Sequence, residues 1–385
     1  MIERLIICQG TAQLVTAVNA LRKHVERTKV DSEQPESREH LLICGLAVSA
    51  QQELEFVRTI ERIASLLHPF ATISRLSDGV IERMYVCAQH TSGALDIAGM
   101  FYKAIGMNHF DEVFIVRDWQ ACNVLVLSAF PDAMHVCYGD SVGVYFPKNF
   151  MLGKSTFFSS IASWSSKLRM SRSSLLLNSR LDVSYLLLPE AFGSPPSGQV
   201  VSTEPANLLD IFNSLSSLLD KNLLNDLREQ IKGRFVWVLM GSNFSEQGMM
   251  SIGAEVDAYY DWIKGLNPDP NIVLLIKAHP RDRAGKHELL EQRLQNLFND
   301  IFSVNEIGSP YLPVEVLLLN LIPFARNLEC LTVSTACLAT RLVLGINTYI
   351  GFGDELVTKY VVSSRQLERC QHESDLRRLC ADFQE

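Results

Sequence analysis

The strongest constraint on this chain is an alternation. Nearly continuous apolar runs, of the kind that form strands buried on both faces, are followed again and again by segments whose apolar residues recur at helical spacing. "RLIIC" precedes "TAQLVTAVNALRKHVER", where Leu14, Val18 and Leu21 fall on one helix face. "LLICGL" precedes "QQELEFVRTIERIASLL", with Phe56, Ile60, Ile63 and Leu67 on one face, and that helix should stop at His68-Pro69. "DEVFIV", "QACNVLVLSAF" and "AMHVCYG" continue the rhythm. In the second half, "NLLDIFNSLSSLLDKNLLNDLREQI" reads as one long helix. The strands "RFVWVLM" and "NIVLLIKAHP" alternate there with the helices "AEVDAYYDWIKGL" and "HELLEQRLQNLFND", and "LECLTVSTACLATRLVLGI" closes the series as strand, turn and helix. In "LSDGVIE", Asp78-Gly79 reads as a hairpin turn between short strands.

This grammar predicts an α/β protein with mainly parallel sheets covered by helices. Its 385 residues suit two open α/β domains. The expected boundaries are 1–165 for the first, 166–182 for a basic, serine-rich linker and 183–385 for the second. Ligands in such sheets bind beyond the carboxyl ends of the strands, where two domains could share one cleft.

Charge and composition remove several classes of function. A net charge of −8 argues against a nucleic-acid partner. No uninterrupted apolar stretch is long enough to span a bilayer, and the most apolar one, "YLPVEVLLLNLIPF", contains Glu315. "MIERLIICQG" leads directly into a strand without the apolar core of a secretory signal. Nine cysteines without a C-x-x-C pair read as free thiols in a reducing cytoplasm and offer no zinc spacing. One local exception stands out. Residues 148–180 carry Lys148, Lys154, Lys167, Arg169, Arg172 and Arg180 with no acid, in a serine-rich setting. They read either as a solvated linker or as a basic lip facing an anionic substrate or the inner membrane surface.

Chemistry should sit at strand ends. Gly139-Asp140-Ser141-Val142-Gly143 fits the G-x-S-x-G pattern of serine hydrolases. That elbow needs a helix to begin at once, whereas Val144-Tyr145-Phe146-Pro147 should stay extended, so Ser141 reads as a turn residue. Asp140 is delivered to the carboxyl end of "AMHVCY", where a carboxylate can serve as a base. His279 ends the strand "NIVLLIK" and is followed by Arg281 and Arg283, a setting that suits an imidazole aimed at a phosphate. Lys277 on the same strand serves structure or phosphate. Ser334 and Thr335 open the last helix, where hydroxyls cap free N–H groups and an anion is favoured.

Taken in order, Asp140 with Gly143, Lys277-Ala278-His279-Pro280 and Ser334-Thr335 resemble the acidic, HP and serine motifs of bacterial sialyltransferases and polysialyltransferases. The chain is most similar to the alpha-2,8-polysialyltransferase-like proteins. "CQGTAQLVTAVNAL" resembles that family's opening stretch through Thr11, Gln13 and Leu14. "VLMGSNFSEQG" and "LPVEVLLL" are similar to family segments on either side of the HP motif. The chain departs from the pattern at Ala12, where the family has proline, and in the acidic motif, where one carboxylate is absent and the glycine is displaced.

The resemblance implies a GT-B fold, two Rossmann-like domains facing a central cleft, and inverting transfer from a CMP-activated sugar, most simply CMP-sialic acid, to a glycan or glycolipid acceptor. Asp140 would be the base. His279, with Lys277, Pro280, Ser334 and Thr335, would meet the departing phosphate. Glu315 would hold ribose, Ser242 and Asn243 would line the nucleotide side, and Gln13 and Gly143 would lie on the acceptor side. No D-x-D sequence occurs, which suits a site without metal or other cofactor, in which hydrogen bonds and one imidazolium stabilise a leaving monophosphate. A related keto-sugar acid or another CMP- or CDP-activated group remains open as donor. Two alternatives stay beside this reading: a catalytically inactive GT-B-fold protein binding nucleotide or glycan, and the serine hydrolase. The expected location is cytoplasmic, with peripheral contact to the inner membrane through residues 148–180.

Overall fold

The runs that read as buried strands are strands. A computed structural model describes residues 1–28, 36–45, 50–90, 94–119, 121–147 and 181–381. The basic segment 148–180 lies outside the described residues. The chain divides into two units, Met1–Ile211 and Phe212–Glu385.

In the first unit seven parallel strands form one sheet in the order β3-β2-β1-β4-β5-β6-β7. They are β1 (Ile2–Cys8), β2 (Ser37–Cys44), β3 (Thr72–Leu76), β4 (Glu112–Ile115), β5 (Met134–Cys137), β6 (Val183–Leu186) and β7 (Gln199–Ser202). The order reverses between β1 and β4, which is where doubly wound sheets open a crevice at their carboxyl edge. Helix Thr11–Thr28 buries Leu14, Val18 and Leu21, and helix Ala50–Leu67 buries Phe56, Ile60, Ile63 and Leu67, as their periodicity requires. Phe101, Phe110 and Phe130 pack together within the core.

The second unit repeats the plan with five parallel strands: β8 (Phe235–Met240), β9 (Val273–Lys277), β10 (Asp300–Ser303), β11 (Asn327–Thr332) and β12 (Thr348–Ile350). Their order is β10-β9-β8-β11-β12, with its reversal between β8 and β11. Tyr259, Trp262 and Phe352 pack edge-on beneath it.

Three sequence expectations give way. The first sheet continues past residue 183, because β6 pairs with β5 through Val136–Val183 and Cys137–Ser184 and brings β7 with it. The expected long helix breaks into Pro205–Ser214, a 3-10 turn Leu215–Leu218 and Lys221–Ile231. The break is at Asp220, whose carboxylate accepts from the N–H groups of Asn222 (2.9 Å) and Leu223 (3.1 Å) as an N-cap. Asp78 begins helix Asp78–His90 rather than turning a hairpin, and a carboxylate in a first helical turn is favoured by the helix dipole. Among the described residues no helix is long and apolar enough to cross a membrane.

Candidate functional site

Asp140 follows β5 at the carboxyl edge of the first sheet, and it is not alone there. Gln13, on the helix after β1, donates from Nε2 to Asp140 Oδ1 at 3.0 Å, and the Ser141 N–H donates to the same oxygen at 2.9 Å. Arg117, two residues beyond β4, forms an ion pair with Oδ2. The segments that follow the two strands flanking the switch point thus supply the side-chain partners Gln13 and Arg117 of the carboxylate. Burial alone would push the Asp140 carboxyl up, but Arg117, Gln13 and the Ser141 N–H outweigh it and hold the carboxyl below its ordinary range. With its side chain 29% exposed, Asp140 is an ionised group that solvent reaches. The Arg117 guanidinium lies 5.0 Å from the Trp119 ring centre and 5.6 Å from that of Phe146, both within cation–π range.

The stretch around Asp140 is a closed turn. Asp140 and Val144 form an antiparallel bridge, with Asp140 N–H donating to Val144 C=O and Val144 N–H to Asp140 C=O, both at 2.8 Å. Gly139 (φ 73°) and Gly143 (φ 86°) take left-handed conformations there. A Cβ on Gly143 would come within 2.9 Å of the Leu187 backbone nitrogen, which itself donates to the Gly143 carbonyl at 2.9 Å. The glycine is therefore where the turn docks against the end of β6. Ser141 has φ 52°, and its carbonyl accepts a hydrogen bond from the Thr16 hydroxyl. No helix begins between Val142 and Pro147, so the strand-to-helix elbow of a serine hydrolase is not formed.

In the second unit the candidates again gather at a switch point. Ser242 and Asn243 follow β8, Ser334 and Thr335 follow β11, and His279 follows β9, the neighbour of β8. His279 Nδ1 accepts the Arg281 N–H at 3.1 Å, so the neutral ring carries its proton on Nε2 and presents a donor. Burial, reinforced by Arg281, Lys286 and Lys277, pushes its pKa down to about 3. The expected imidazolium is thus a neutral imidazole, because a positive ring would sit in a low dielectric among cations.

The other predicted residues are tied into the scaffold. Lys277 Nζ donates to the Pro310 carbonyl at 2.8 Å. Pro280 continues the loop after β9. Ser242 Oγ lies 3.4 Å from Glu255 Oε1, and Asn243 Oδ1 accepts from Gln247 at 2.6 Å. Ser334 Oγ is 3.1 Å from Thr332 Oγ1 and accepts the Ala336 N–H at 3.4 Å, whereas Thr335 makes no side-chain cap to the short helix Ala336–Leu338. Just before them, Arg369 of helix Ser363–Ala381 donates to the Val333 carbonyl, and its Nε donates to Glu373 at 2.8 Å, which fixes the end of β11. Glu315 is buried in the first turn of helix Val314–Leu321, and burial, offset only by its own N–H, pushes its pKa up to about 7. It can therefore donate as well as accept at neutral pH.

Two residues escaped the sequence reading. Arg117 follows the strand run "DEVFIV", and the strand-end rule that singled out Asp140 applies to it equally. Lys286, only 3% exposed, opens helix Lys286–Leu294 and contacts Glu255 (2.8 Å), Asp282 (2.9 Å), Glu246 (3.1 Å) and the Ser242 carbonyl (2.6 Å). A cation in a first helical turn opposes the helix dipole and signals that carboxylates lie close by.

A family model described as Alpha-2,8-polysialyltransferase (POLYST) matches residues 129–349, more than half of the chain and all three strand-end motifs. No curated protein sequence matches. Among solved structures the chain is similar to the S. aureus MnaA-UDP co-structure at 12% identity, with 98% of this chain and 88% of that chain covered and a TM-score of 0.49. It is also similar to the GT-B domain of the sialyltransferase from Photobacterium damselae at 11% identity, with 98% and 97% covered and a TM-score of 0.43. The E. coli heptosyltransferase WaaC with ADP-2-deoxy-2-fluoro heptose is similar at 10% identity, with 91% and 88% covered and a TM-score of 0.40.

Proposed function

Because the chain belongs to the alpha-2,8-polysialyltransferase family and is a glycosyltransferase, we propose that it transfers a sialic acid, or a related keto-sugar acid, from a CMP-sugar to a glycan hydroxyl with inversion and without a metal ion. The observation that carries the chemistry is the Asp140 carboxylate, held ionised by Arg117 and Gln13 yet open to solvent. The acceptor oxygen forms its bond to the anomeric carbon on the face opposite the phosphate. The bond from that carbon to the phosphate oxygen breaks, and its electron pair leaves with CMP. The acceptor proton goes to Asp140. A carboxylate below its ordinary range is a weak base toward a free alcohol. The hydroxyl becomes acidic as its bond to carbon forms, so Asp140 takes the proton late in the step.

On the nucleotide side, His279 donates from Nε2 to the phosphate as negative charge develops there. The Ser334 and Thr335 hydroxyls and the protonated Glu315 carboxyl supply further donors, to phosphate and ribose respectively. Three hydrogen-bond donors at the phosphate suit a leaving monophosphate, and the absence of a D-x-D sequence agrees with that. The six cations of residues 148–180 are proposed, on composition alone, to meet an anionic glycan or the inner membrane surface.

The test is release of CMP from a panel of CMP-sugars with mixed glycan acceptors. Asp140→Asn should lower turnover by about 10²–10⁴-fold, while CMP still raises the melting temperature as in the wild type. Ser141→Ala, which removes only a turn hydroxyl, should transfer normally. Full transfer by Asp140→Asn would remove Asp140 as the base.

A further inference from the structure

Two loops at the carboxyl edge of the second sheet are joined by one buried ammonium. Lys286 Nζ contacts the Ser242 carbonyl at 2.6 Å, and with it the loop after β8. It also contacts Glu255 on helix Ile252–Gly265, and Glu246 and Asp282 on either side. Glu255, fully buried, accepts the Ser245 N–H at 2.8 Å, and Glu246 accepts the Arg283 N–H at 3.1 Å. The arm that reaches the candidate site is Asp282. Its Oδ1 accepts from Lys286 at 2.9 Å and its Oδ2 accepts the backbone N–H of His279 at 3.0 Å. His279 is also anchored by the Arg281 N–H at its Nδ1 and by the Asp282 N–H, which donates to the His279 carbonyl at 2.9 Å.

We propose that Asp282, held by Lys286, is a positioning residue for His279: its two carboxylate oxygens lock the loop after β9 so that Nε2–H points at the leaving phosphate. This rests on the proposed role of His279. Asp282 touches no substrate and acts only through the backbone it holds. The carboxylate is needed because it accepts from two donors at once, one on each oxygen. An amide offers one accepting oxygen and one NH2 group, so in either orientation Asp282→Asn turns a donor toward a donor and must release either His279 or Lys286.

The experiment is a double-mutant cycle read by CMP affinity, with Asp282→Asn and His279→Ala made singly and together in the full chain. His279→Ala should weaken CMP by at least about tenfold, the worth of a hydrogen bond to a charged group. Asp282→Asn should weaken it about 3- to 10-fold in the wild-type background and leave it unchanged on top of His279→Ala, since residues that act as a unit are not additive. Loss of the same factor in both backgrounds would mean a general structural effect and would overturn the positioning role. Wild-type CMP affinity in Asp282→Asn would overturn it as well. If His279→Ala binds CMP like the wild type, the phosphate role of His279 fails, and the positioning role fails with it. Were Asp282→Asn not to fold, Asp282→Glu keeps the charge for Lys286 but displaces the oxygen from the His279 N–H, and the same pattern is expected.

Discussion

Replacing His279 should flatten the acid side of the stability curve. Burial, with Arg281 and Lys286 adding to it, brings the ring's pKa down to about 3, against about 6.5 in the unfolded chain. The folded state refuses a proton that the unfolded state accepts. The stability tied to His279 is therefore fully present above pH of about 6.5 and is lost as pH falls toward 3. Between about pH 7.5 and pH 5 the unfolded ring gains roughly 1.5 logarithmic units of proton binding and the folded ring almost none. At about 1.36 kcal/mol per unit the loss is about 2 kcal/mol. His372, which burial and Arg369 also bring to about 3, adds a slope of the same sign. Asp282, raised to about 6, and Glu315, raised to about 7, oppose it, because a raised carboxyl takes up its proton first in the folded state. Comparing wild type with His279→Gln cancels these shared contributions. Urea unfolding at the two pH values should show the wild type losing about 2 kcal/mol more than the variant. Equal losses would mean that the folded ring is protonated at pH 5, and the neutral-donor reading would fall.

Two further outcomes follow from the same site. EDTA should leave transfer unchanged in the CMP-release assay, and loss of activity restored by a divalent cation would refute the metal-free reading. Arg117→Gln removes the largest influence opposing burial at Asp140, so the acid limb of the kcat/KM profile, expected below the ordinary carboxylate range in the wild type, should move to higher pH while CMP affinity holds. An unmoved limb would separate Arg117 from the base.

The architecture was legible because parallel strands buried on both faces must be nearly continuous apolar runs, and "RFVWVLM" or "NIVLLIK" can be little else. The errors have local causes. Leucines through "NSLSSLLDKNLLNDL" keep the helical period across Asp220, so only the capping side chain marks the break. β6 is four residues long and follows a serine-rich segment, which hides its membership of the first sheet. Asp78-Gly79 satisfies a hairpin turn and a helix start equally, and the tertiary setting chose the helix.

The candidate site divides along a different line. Strand-end position is written in the sequence, so Asp140, His279 and Ser334 could be found by locating where an apolar run stops. Partnership is not, because it depends on which strands become neighbours. Arg117 meets Asp140 only because β4 lies beside β5, and Gln13 joins them because β1 lies on the other side of β4. Lys286 looks like an ordinary solvated lysine until the loops after β8 and β9 converge on it. These hidden partners set the ionisation of the visible residues. Arg117 keeps Asp140 charged against its burial, and burial, with Arg281 and Lys286 adding to it, keeps His279 neutral. A proton acceptor and a neutral donor are what the proposed transfer asks of those two positions, and the pairing that delivers them is a property of strand order rather than of any motif.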